Sequence, residues 1–372
     1  MLIGVDASRV LSEKSTGTEY YNLKLLESLG KIDKKNHYVI YLNKLPKNLP
    51  FSFRSFSTRV LRLPRLWTQV GLAYDILINP PDILFIPAHT IPVVRNPKIK
   101  TIVTIHDLGS NYLAAYHQFP HKIYLNWSTL ISVKFATHLI AVSQSTKKDI
   151  INQFGAKQDK ISVIYEGVDL SRFKPENSKL KITRVLKKYK IQNPYILFVG
   201  TIQPRKNLVR LIQAFSQLIE IYKEPINLVI AGKPGWLYEE IYRVAKEPQV
   251  ANKVKFLNYI SEEDLPPLYS GASLFAFPSL YEGFGLPVLE AMACGTAVLT
   301  SKVSSLPEVG GKAAFFVDPY NLDEIKKGMY QIITDNNLRK TLISKGVEQV
   351  RKFSWEKAAK ETLKVFEKVY KD

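Results

Sequence analysis

The sequence predicts an α/β protein built from two successive doubly wound parallel sheets. Short apolar runs alternate with helical patterns along the chain, which is typical of parallel strands covered by helices. The chain has 372 residues, more than the roughly 250–300 residues at which a single core stops growing. A charged stretch, Lys174–Lys190, separates two series of strand patterns and is the linker candidate. We therefore expect one domain over residues 1–175 and a second over residues 190–354.

The strand candidates are short apolar runs bounded by polar or glycine-containing segments. In the first series they are Leu2–Val5, Tyr38–Leu42, Ile83–Ile86, Thr101–Ile105, His138–Val142 and Ile161–Ile164. In the second series they are Tyr195–Gly200, Leu228–Gly232, Val254–Leu257, Ser273–Phe277 and Ala297–Thr300. Helical patterns fall between them, at Glu19–Leu29, Tyr124–Thr137 and Leu208–Ile219, and from Trp355 to the C-terminus.

The composition indicates a globular protein with an excess of basic residues. The 52 Lys and Arg residues outnumber the 33 Asp and Glu residues, which gives a net charge of +19. Such an excess attracts nucleic acid, anionic membranes or phosphate-bearing substrates, although a solubilising basic surface is an alternative. No zinc-ligand spacing, Arg/Gly-rich tail or aromatic RNA-binding signature accompanies it, so we do not expect nucleic acid as a partner.

The remaining composition bears on where the protein works. Its one cysteine, Cys294, excludes an intramolecular disulfide and fits a reducing cytoplasm. No run of about 18 apolar residues occurs, and the N-terminus has the pattern of a first strand, not of a signal peptide. We therefore expect a cytoplasmic protein without a membrane-spanning helix.

Two carboxylates flank a glycine loop in the stretch from Pro278 to Gly295. Glu282 lies in the loop, and Glu290 lies about one turn inside the helix that Pro287 begins. Such a loop gathers unpaired backbone N–H groups at the positive end of a helix dipole. The two carboxylates can then hold hydroxyl groups on either side of a phosphate, as in a sugar nucleotide. Ordinary strand–loop–helix packing is the alternative.

Two other strand ends carry polar residues. Arg205 and Lys206 stand between a strand and a helix, where two cations and a helix start suit a diphosphate. A solvated basic pair is the alternative there. His106 and Asp107 follow the strand that ends at Ile105. They are expected to face a cleft between the domains, although a histidine at a strand end is often structural.

The segment Phe51–Trp67 combines four arginines with aromatic residues and contains no acidic residue; the arginines are Arg54, Arg59, Arg62 and Arg65. This composition suits contact with an anionic membrane at the level of the lipid headgroups. An irregular, solvated connection is the alternative.

The stretch from Pro278 to Gly295 resembles the Glu-x7-Glu signature of retaining family-4 glycosyltransferases, Pro-Ser-x-x-Glu-Gly-Phe-Gly-Leu-Pro-x-x-Glu-Ala-Met-Ala-x-Gly, without a gap. The loop from Gly200 to Asn207 is similar to the family's Gly-Thr-x-x-Pro-Arg-Lys-Asn. The resemblance implies the GT-B fold, in which two Rossmann-like domains face each other across a cleft. It also implies that a C-terminal helix, here about residues 355–372, crosses back to the first domain.

The resemblance assigns residues to the reaction. Arg205 and Lys206 neutralise the leaving diphosphate, Glu282 holds the sugar hydroxyls, and His106 borders the transferred sugar. The donor-binding residues are Gly17, Thr201, Tyr259, Ile260, Gly283, Phe284, Gly285, Leu286 and Glu290, the last of which holds the ribose. The acceptor-binding residues are Asp107 and Ser143, and Ser145 is expected to cap the following helix. His89, in the loop from Pro87 to Pro92, is a further acceptor-binding candidate, with a loop histidine without a role as the alternative.

The resemblance also implies the activity. It predicts a retaining hexosyltransferase for surface polysaccharide or glycoconjugate synthesis, with GDP-mannose as donor and a glycan or lipid-linked hydroxyl as acceptor. Other donors remain open: UDP-glucose, UDP-N-acetylglucosamine and dTDP-rhamnose. A sugar-nucleotide 2-epimerase of the GT-B fold and a non-enzymatic polyanion-binding protein also remain open. We expect no cofactor and no catalytic metal, since no Asp-x-Asp occurs, and we expect peripheral contact with the inner face of the cell membrane.

Overall fold

The chain forms two compact units, each built around one parallel sheet. The computed structural model describes residues 1–10, 17–45, 53–63, 66–88, 90–109 and 121–372. The first unit holds Met1–Gly167 together with Ser354–Asp372, and the second holds Val168–Phe353. Both units are Rossmann-like, which confirms the predicted α/β fold class.

The first unit contains a seven-stranded sheet in the order β3-β2-β1-β4-β5-β6-β7. Its strands are β1 (Leu2–Asp6), β2 (His37–Leu42), β3 (Phe56–Val60), β4 (Ile83–Ile86), β5 (Lys100–Ile105), β6 (His138–Ala141) and β7 (Ile161–Val163), all paired in parallel. The described helices are α1 (Gly17–Ile32), a π-helical segment (Trp67–Leu72) that continues into α2 (Ala73–Ile78), α3 (His121–Phe135) and α4 (Gln144–Phe154).

The second unit contains a six-stranded parallel sheet in the order β10-β9-β8-β11-β12-β13. Its strands are β8 (Tyr195–Val199), β9 (Asn227–Ala231), β10 (Val254–Leu257), β11 (Leu274–Phe277), β12 (Val298–Ser301) and β13 (Ala314–Val317). Its helices are α5 (Lys179–Lys188), α6 (Leu208–Ile221), α7 (Glu239–Val244), α8 (Leu265–Ser270), α9 (Leu286–Ala293), α10 (Leu306–Gly310), α11 (Leu322–Thr334) and α12 (Asn336–Val350). Every residue of β11 and β12 is buried, as expected for strands covered on both faces.

The last helix, α13 (Trp355–Lys371), belongs to the first unit, as predicted for a helix that returns to the first domain. Ser354 caps it by accepting the N–H of Lys357. The Trp355 ring meets the Tyr20 and Tyr21 rings edge-on, with centroid distances of 6.0 and 5.8 Å. Gly167 passes so close that a Cβ there would lie 2.2 Å from the Trp355 nitrogen, which no larger residue tolerates.

The linker prediction was wrong, because most of Lys174–Lys190 forms α5. The units instead divide after Gly167 rather than at residue 175. The reason is packing within the second unit. Arg172 donates to the Glu262 carboxylate at 2.9 Å, and the Phe173 ring meets the Tyr269 ring at 6.2 Å.

Strands β3 and β13 were not predicted, and β3 lies inside the segment that the sequence left as membrane-facing or irregular. The aromatic residues described there point inward: Phe56 meets the rings of Phe53 and Tyr38 at 5.2 and 4.9 Å. Trp67 is buried, and its Nε1 donates to the Leu61 carbonyl at 2.9 Å.

Within the part of the chain that the structure describes, no helix has both the length and the apolar composition needed to cross a bilayer.

Candidate functional site

The predicted donor residues of the second unit gather where its strand order reverses. Strands β8 and β11 are neighbours in the sheet, and the connections from each lead toward opposite edges. Ligands of open α/β sheets bind beyond the carboxyl ends of strands at such a switch point. Arg205 and Lys206 follow β8, and Glu282 follows β11. The topology therefore brings together three residues that lie far apart in sequence.

These three residues form an ion triad. The Lys206 Nζ donates to Glu282 Oε1 at 2.6 Å, and the Arg205 Nη1 donates to Glu282 Oε2 at 3.1 Å. Arg205 Nη1 also donates to the Tyr281 carbonyl at 3.0 Å, while the Leu280 N–H donates to the Arg205 carbonyl at 2.9 Å. The loop after β8 is thus bonded to the loop after β11 through both side chains and backbone.

The triad is electrostatically suited to an anion. The Lys206 and Glu282 side chains are exposed by only 9% and 8%, and that of Arg205 by 17%. Burial alone would raise the pKa of Glu282, but Arg205 and then Lys206 outweigh it and hold that pKa below its usual value. The carboxylate is therefore ionised at neutral pH. Two cations against one carboxylate leave the triad with one excess positive charge.

Neighbouring residues fix the backbone of the glycine loop. Ser304 Oγ accepts the Glu282 N–H at 3.0 Å, and the single Ser305 hydroxyl proton is shared between the carbonyls of Phe284 and Glu282, whose oxygens lie 2.6 and 2.9 Å from Ser305 Oγ. Gly285 has φ 119°, a conformation that favours glycine, and it precedes the first residue of α9. The loop shape that the motif requires is therefore imposed by its surroundings.

The other donor-binding residues of this loop are buried. Gly283 and Leu286 are buried, and the Phe284 ring packs edge-on against the Phe353 ring at 5.8 Å. Any ligand contact by these residues would therefore be made by backbone groups at the loop surface, as the resemblance implies.

Glu290 lies inside α9 in a different environment from Glu282. The Tyr269 hydroxyl donates to Glu290 Oε2 at 2.9 Å. Burial raises the pKa of Glu290 to about 7, although the Tyr269 hydrogen bond and Arg172 both act to lower it. Burial and the neighbouring Glu290 charge also raise the pKa of Tyr269, so its hydroxyl stays a neutral donor. Near neutral pH, Glu290 can therefore exchange a proton when a ligand arrives.

The predicted nucleobase segment lies just after β10. Tyr259 is half exposed, and the Lys233 Nζ stands 5.1 Å from its ring centroid. Ile260 is buried and Thr201 is exposed. An exposed ring offers a face on which a base can stack.

In the first unit, His106 is held on both ring nitrogens. Its Nε2 lies 2.8 Å from the Pro87 carbonyl oxygen, and its Nδ1 lies 3.2 Å from Glu166 Oε1. The Tyr21 ring meets the imidazole edge-on at 4.6 Å. A carbonyl oxygen only accepts, so Nε2 carries a proton. Glu166 and the Pro87 carbonyl thus fix both the plane and the orientation of this ring.

The remaining predicted site residues belong to the first unit. Asp107 Oδ1 accepts the Gly109 N–H at 3.2 Å, and Gly17 is the exposed first residue of α1. Ser143, not Ser145, caps α4: its Oγ accepts the Thr146 N–H at 3.0 Å. The hydroxyl of Ser143 is thus engaged in the helix start, and its acceptor role stays a prediction. His89 lies outside the described residues.

The sequence did not identify Glu166, Tyr269 or Ser305. Glu166 comes three residues after β7, so the strand-end rule that selected His106 would have found it. Tyr269 lies within the short apolar helix α8 and carried no such signal.

Comparison with known proteins confirms the class of enzyme. The family "Glycosyl transferases group 1" matches residues 181–349, and "Glycosyltransferase Family 4" matches residues 17–172. The O-antigen chain mannosyltransferase B of Escherichia coli is 33% identical over 72% of this chain and 70% of its own length. The O-antigen chain mannosyltransferase RfbU of Salmonella typhimurium is 30% identical over 85% of this chain and 86% of its own length.

Among solved structures, HepE of Anabaena in complex with UDP and glucose shares the fold, with a TM-score of 0.73 at 18% identity. The match covers 98% of this chain and 99% of HepE. The chain therefore belongs to the family-4, group 1 glycosyltransferases of the GT-B fold.

The triad predicts a stability effect. Glu282→Gln keeps the shape of the side chain but leaves the buried Lys206 and the partly buried Arg205 without their carboxylate, which should cost about 3 kcal/mol of unfolding free energy. Calorimetric unfolding of the full chain measures it. The matched control is Glu240→Gln, which breaks the exposed Glu240–Arg243 pair and should leave the unfolding midpoint unchanged. Equal, small effects of both substitutions would show that the triad is not a structural requirement.

Proposed function

We propose that this glycosyltransferase transfers mannose from GDP-mannose to a hydroxyl group of a glycan or lipid-linked acceptor in surface polysaccharide synthesis. The observation that carries the proposal is the largely buried Arg205–Lys206–Glu282 triad at the switch point of the second sheet. Its excess positive charge suits a diphosphate leaving group. The choice of mannose follows from the two O-antigen mannosyltransferases that the chain resembles.

The triad suggests how the leaving group is stabilised. As the bond from sugar to phosphate breaks, negative charge grows on the diphosphate, and cations placed there in advance are usually the largest catalytic contribution. Arg205 and Lys206 supply that charge and are already oriented by Glu282. We therefore propose that no metal ion is needed. Glu282 still has acceptor capacity for a sugar hydroxyl, since a carboxylate offers about four lone-pair sites.

The stereochemical course is part of the proposal. We propose retention by attack on the same face of the sugar that the diphosphate leaves, with a diphosphate oxygen taking the proton of the acceptor hydroxyl. His106 borders the reacting sugar, with its ring fixed by Glu166. The enzyme is proposed to work in the cytoplasm, at the inner face of the membrane that carries a lipid-linked acceptor.

A donor panel tests the substrate. GDP-mannose, UDP-glucose, UDP-N-acetylglucosamine and dTDP-rhamnose are offered to the full chain, and nucleoside diphosphate release is measured with and without a glycan acceptor. GDP-mannose should give the highest kcat/KM, and Arg205→Ala should lower it by more than about 10²-fold. Turnover with another donor but not with GDP-mannose would refute the mannose assignment. Release of a 2-epimerised sugar without acceptor would refute transfer.

Glu290 predicts a pH dependence of donor binding. Ribose hydroxyls bind an ionised carboxylate more strongly than a protonated one, and the pKa of free Glu290 is raised to about 7. Donor affinity should therefore rise as pH increases through this value, and KM for the donor should be about tenfold higher at pH 6 than at pH 8. Steady-state kinetics over this range measures it. Glu290→Gln should flatten the profile, and an unchanged slope in that variant would exclude Glu290 as the titrating group.

Tyr269→Phe should change the same pH profile in a known direction. The Tyr269 hydrogen bond acts to lower the pKa of Glu290, so its removal should shift the midpoint of the same profile to higher pH. A purely structural role for Tyr269 would lower stability without moving that midpoint.

A further inference from the structure

Asn207 comes directly after the two cations of the triad and is almost fully buried. It is exposed by only 3% and lies between Lys206 and the first residue of α6. Its backbone has φ 61°, in the left-handed region. Asparagine is one of the few residues other than glycine that adopt this conformation readily. The turn that carries Arg205 and Lys206 therefore ends at a residue whose type suits its backbone.

The Asn207 side chain joins three loops at the carboxyl edge of the second sheet. Its Nδ2 donates to the Pro278 carbonyl at 2.9 Å and to the Pro319 carbonyl at 2.7 Å. Pro278 follows β11 and Pro319 follows β13, whereas Asn207 belongs to the loop after β8. One amide group thus connects the loop of the cations with the strand that precedes Glu282 and with the edge strand β13.

The amide contact with the loop after β11 is paired with a backbone hydrogen bond. The Leu280 N–H donates to the Arg205 carbonyl at 2.9 Å, two residues away on both loops. Lys206 therefore lies between two contacts that join the loop after β8 to the loop after β11. Its Nζ meets Glu282 Oε1 at 2.6 Å. The position of this ion pair is thus set by backbone that is held on both sides of the lysine.

The Asn207 amide is committed to contacts within the protein. The Pro278 and Pro319 carbonyls only accept, so they use both Nδ2 hydrogens. The Oδ1 atom accepts Arg210 Nη1 at 3.0 Å. Asn207 therefore cannot donate to a ligand without losing one of these contacts, and its effect on a bound diphosphate must pass through the cations beside it.

We propose that Asn207 is a positioning residue for the donor diphosphate, which holds Arg205 and Lys206 at the spacing that binding and departure of this group require. The inference rests on the proposed function of the triad but not on which sugar or base is bound. Without the amide, two buried carbonyls would lose their donor, and the turn could move away from them. Binding groups must stay within about 0.5 Å of their productive geometry, and a displacement of about 1 Å can lower a rate about 10²-fold.

Two substitutions separate the side-chain contacts of Asn207 from its backbone conformation. Asn207→Gly accepts the left-handed backbone but removes the hydrogen bonds to Pro278, Pro319 and Arg210. Asn207→Asp keeps the size of the side chain and tolerates the same backbone. It has no N–H to donate and places a carboxylate against the two carbonyls. Both variants should therefore release the turn while leaving the two cations in the sequence.

The measurement is the diphosphate preference, which is the dissociation constant of GMP divided by that of GDP. Both constants are obtained by titration calorimetry of the full chain, and UMP and UDP are titrated in parallel so that the result does not depend on the base. The preference should fall about tenfold in both variants, because only the second phosphate depends on precise placement of the cations. With the donor that the panel identifies, kcat should also fall at least about tenfold.

The matched control is Asn227→Gly at the amino end of β9, where Asn227 Nδ2 donates to the Gln192 carbonyl at 3.2 Å. It should lower the unfolding midpoint and leave the diphosphate preference unchanged. The proposal is overturned if Asn207→Gly and Asn207→Asp keep the wild-type preference, even with a lower unfolding midpoint, or if the control loses as much preference. A drop seen with uridine nucleotides, where guanosine nucleotides do not bind, would refute GDP-mannose as donor and still support the role of Asn207.

Discussion

The ion triad of Glu282 with Arg205 and Lys206 ties the loop after β8 to the loop after β11, and the site of the second unit depends on it. Buried charges are costly unless they are paired and hydrogen-bonded, so the three side chains must keep their geometry together. The surroundings meet that condition. Ser304 and Ser305 hold the backbone on either side of Glu282. A donor diphosphate would thus enter a site whose charges are already in position, with little left to reorganise.

The two carboxylates of the glutamate motif differ because their partners differ. Glu282 faces two cations, and its pKa lies below the usual value. Glu290 lies half-buried beside the neutral donor Tyr269, and desolvation raises its pKa to about 7. Eight positions of sequence therefore separate a permanent charge from a group that titrates near neutrality. The first suits electrostatic orientation of cations, and the second suits reversible contact with hydroxyl groups.

The fold class and the strand-end residues could be predicted because both depend on local pattern. Alternating apolar runs indicate parallel strands, and polar residues after such runs fall at one edge of the sheet. The partners of these residues could not be predicted in the same way. Glu166 meets His106 across 60 positions of sequence, and Tyr269 reaches Glu290 from another helix. Helix α5 was missed because its many charges were interpreted as a linker, although Val185 and Leu186 are buried.

Composition also could not tell which apolar residues face outward. The segment around Trp67 and the helix that follows are both rich in apolar residues, so neither has a single hydrophobic face to orient it. Tertiary contacts determine which side of this helix is buried. Trp67 Nε1 is bonded to the Leu61 carbonyl, and Arg59 is bonded to Asp75, which fixes one side of this helix against the sheet. Once that side is fixed, four-residue spacing leaves Val70 and Tyr74 in solvent. The exposure of Val70 and Tyr74 therefore follows from these two polar contacts. It could not be predicted from the hydrophobicity of the sequence alone.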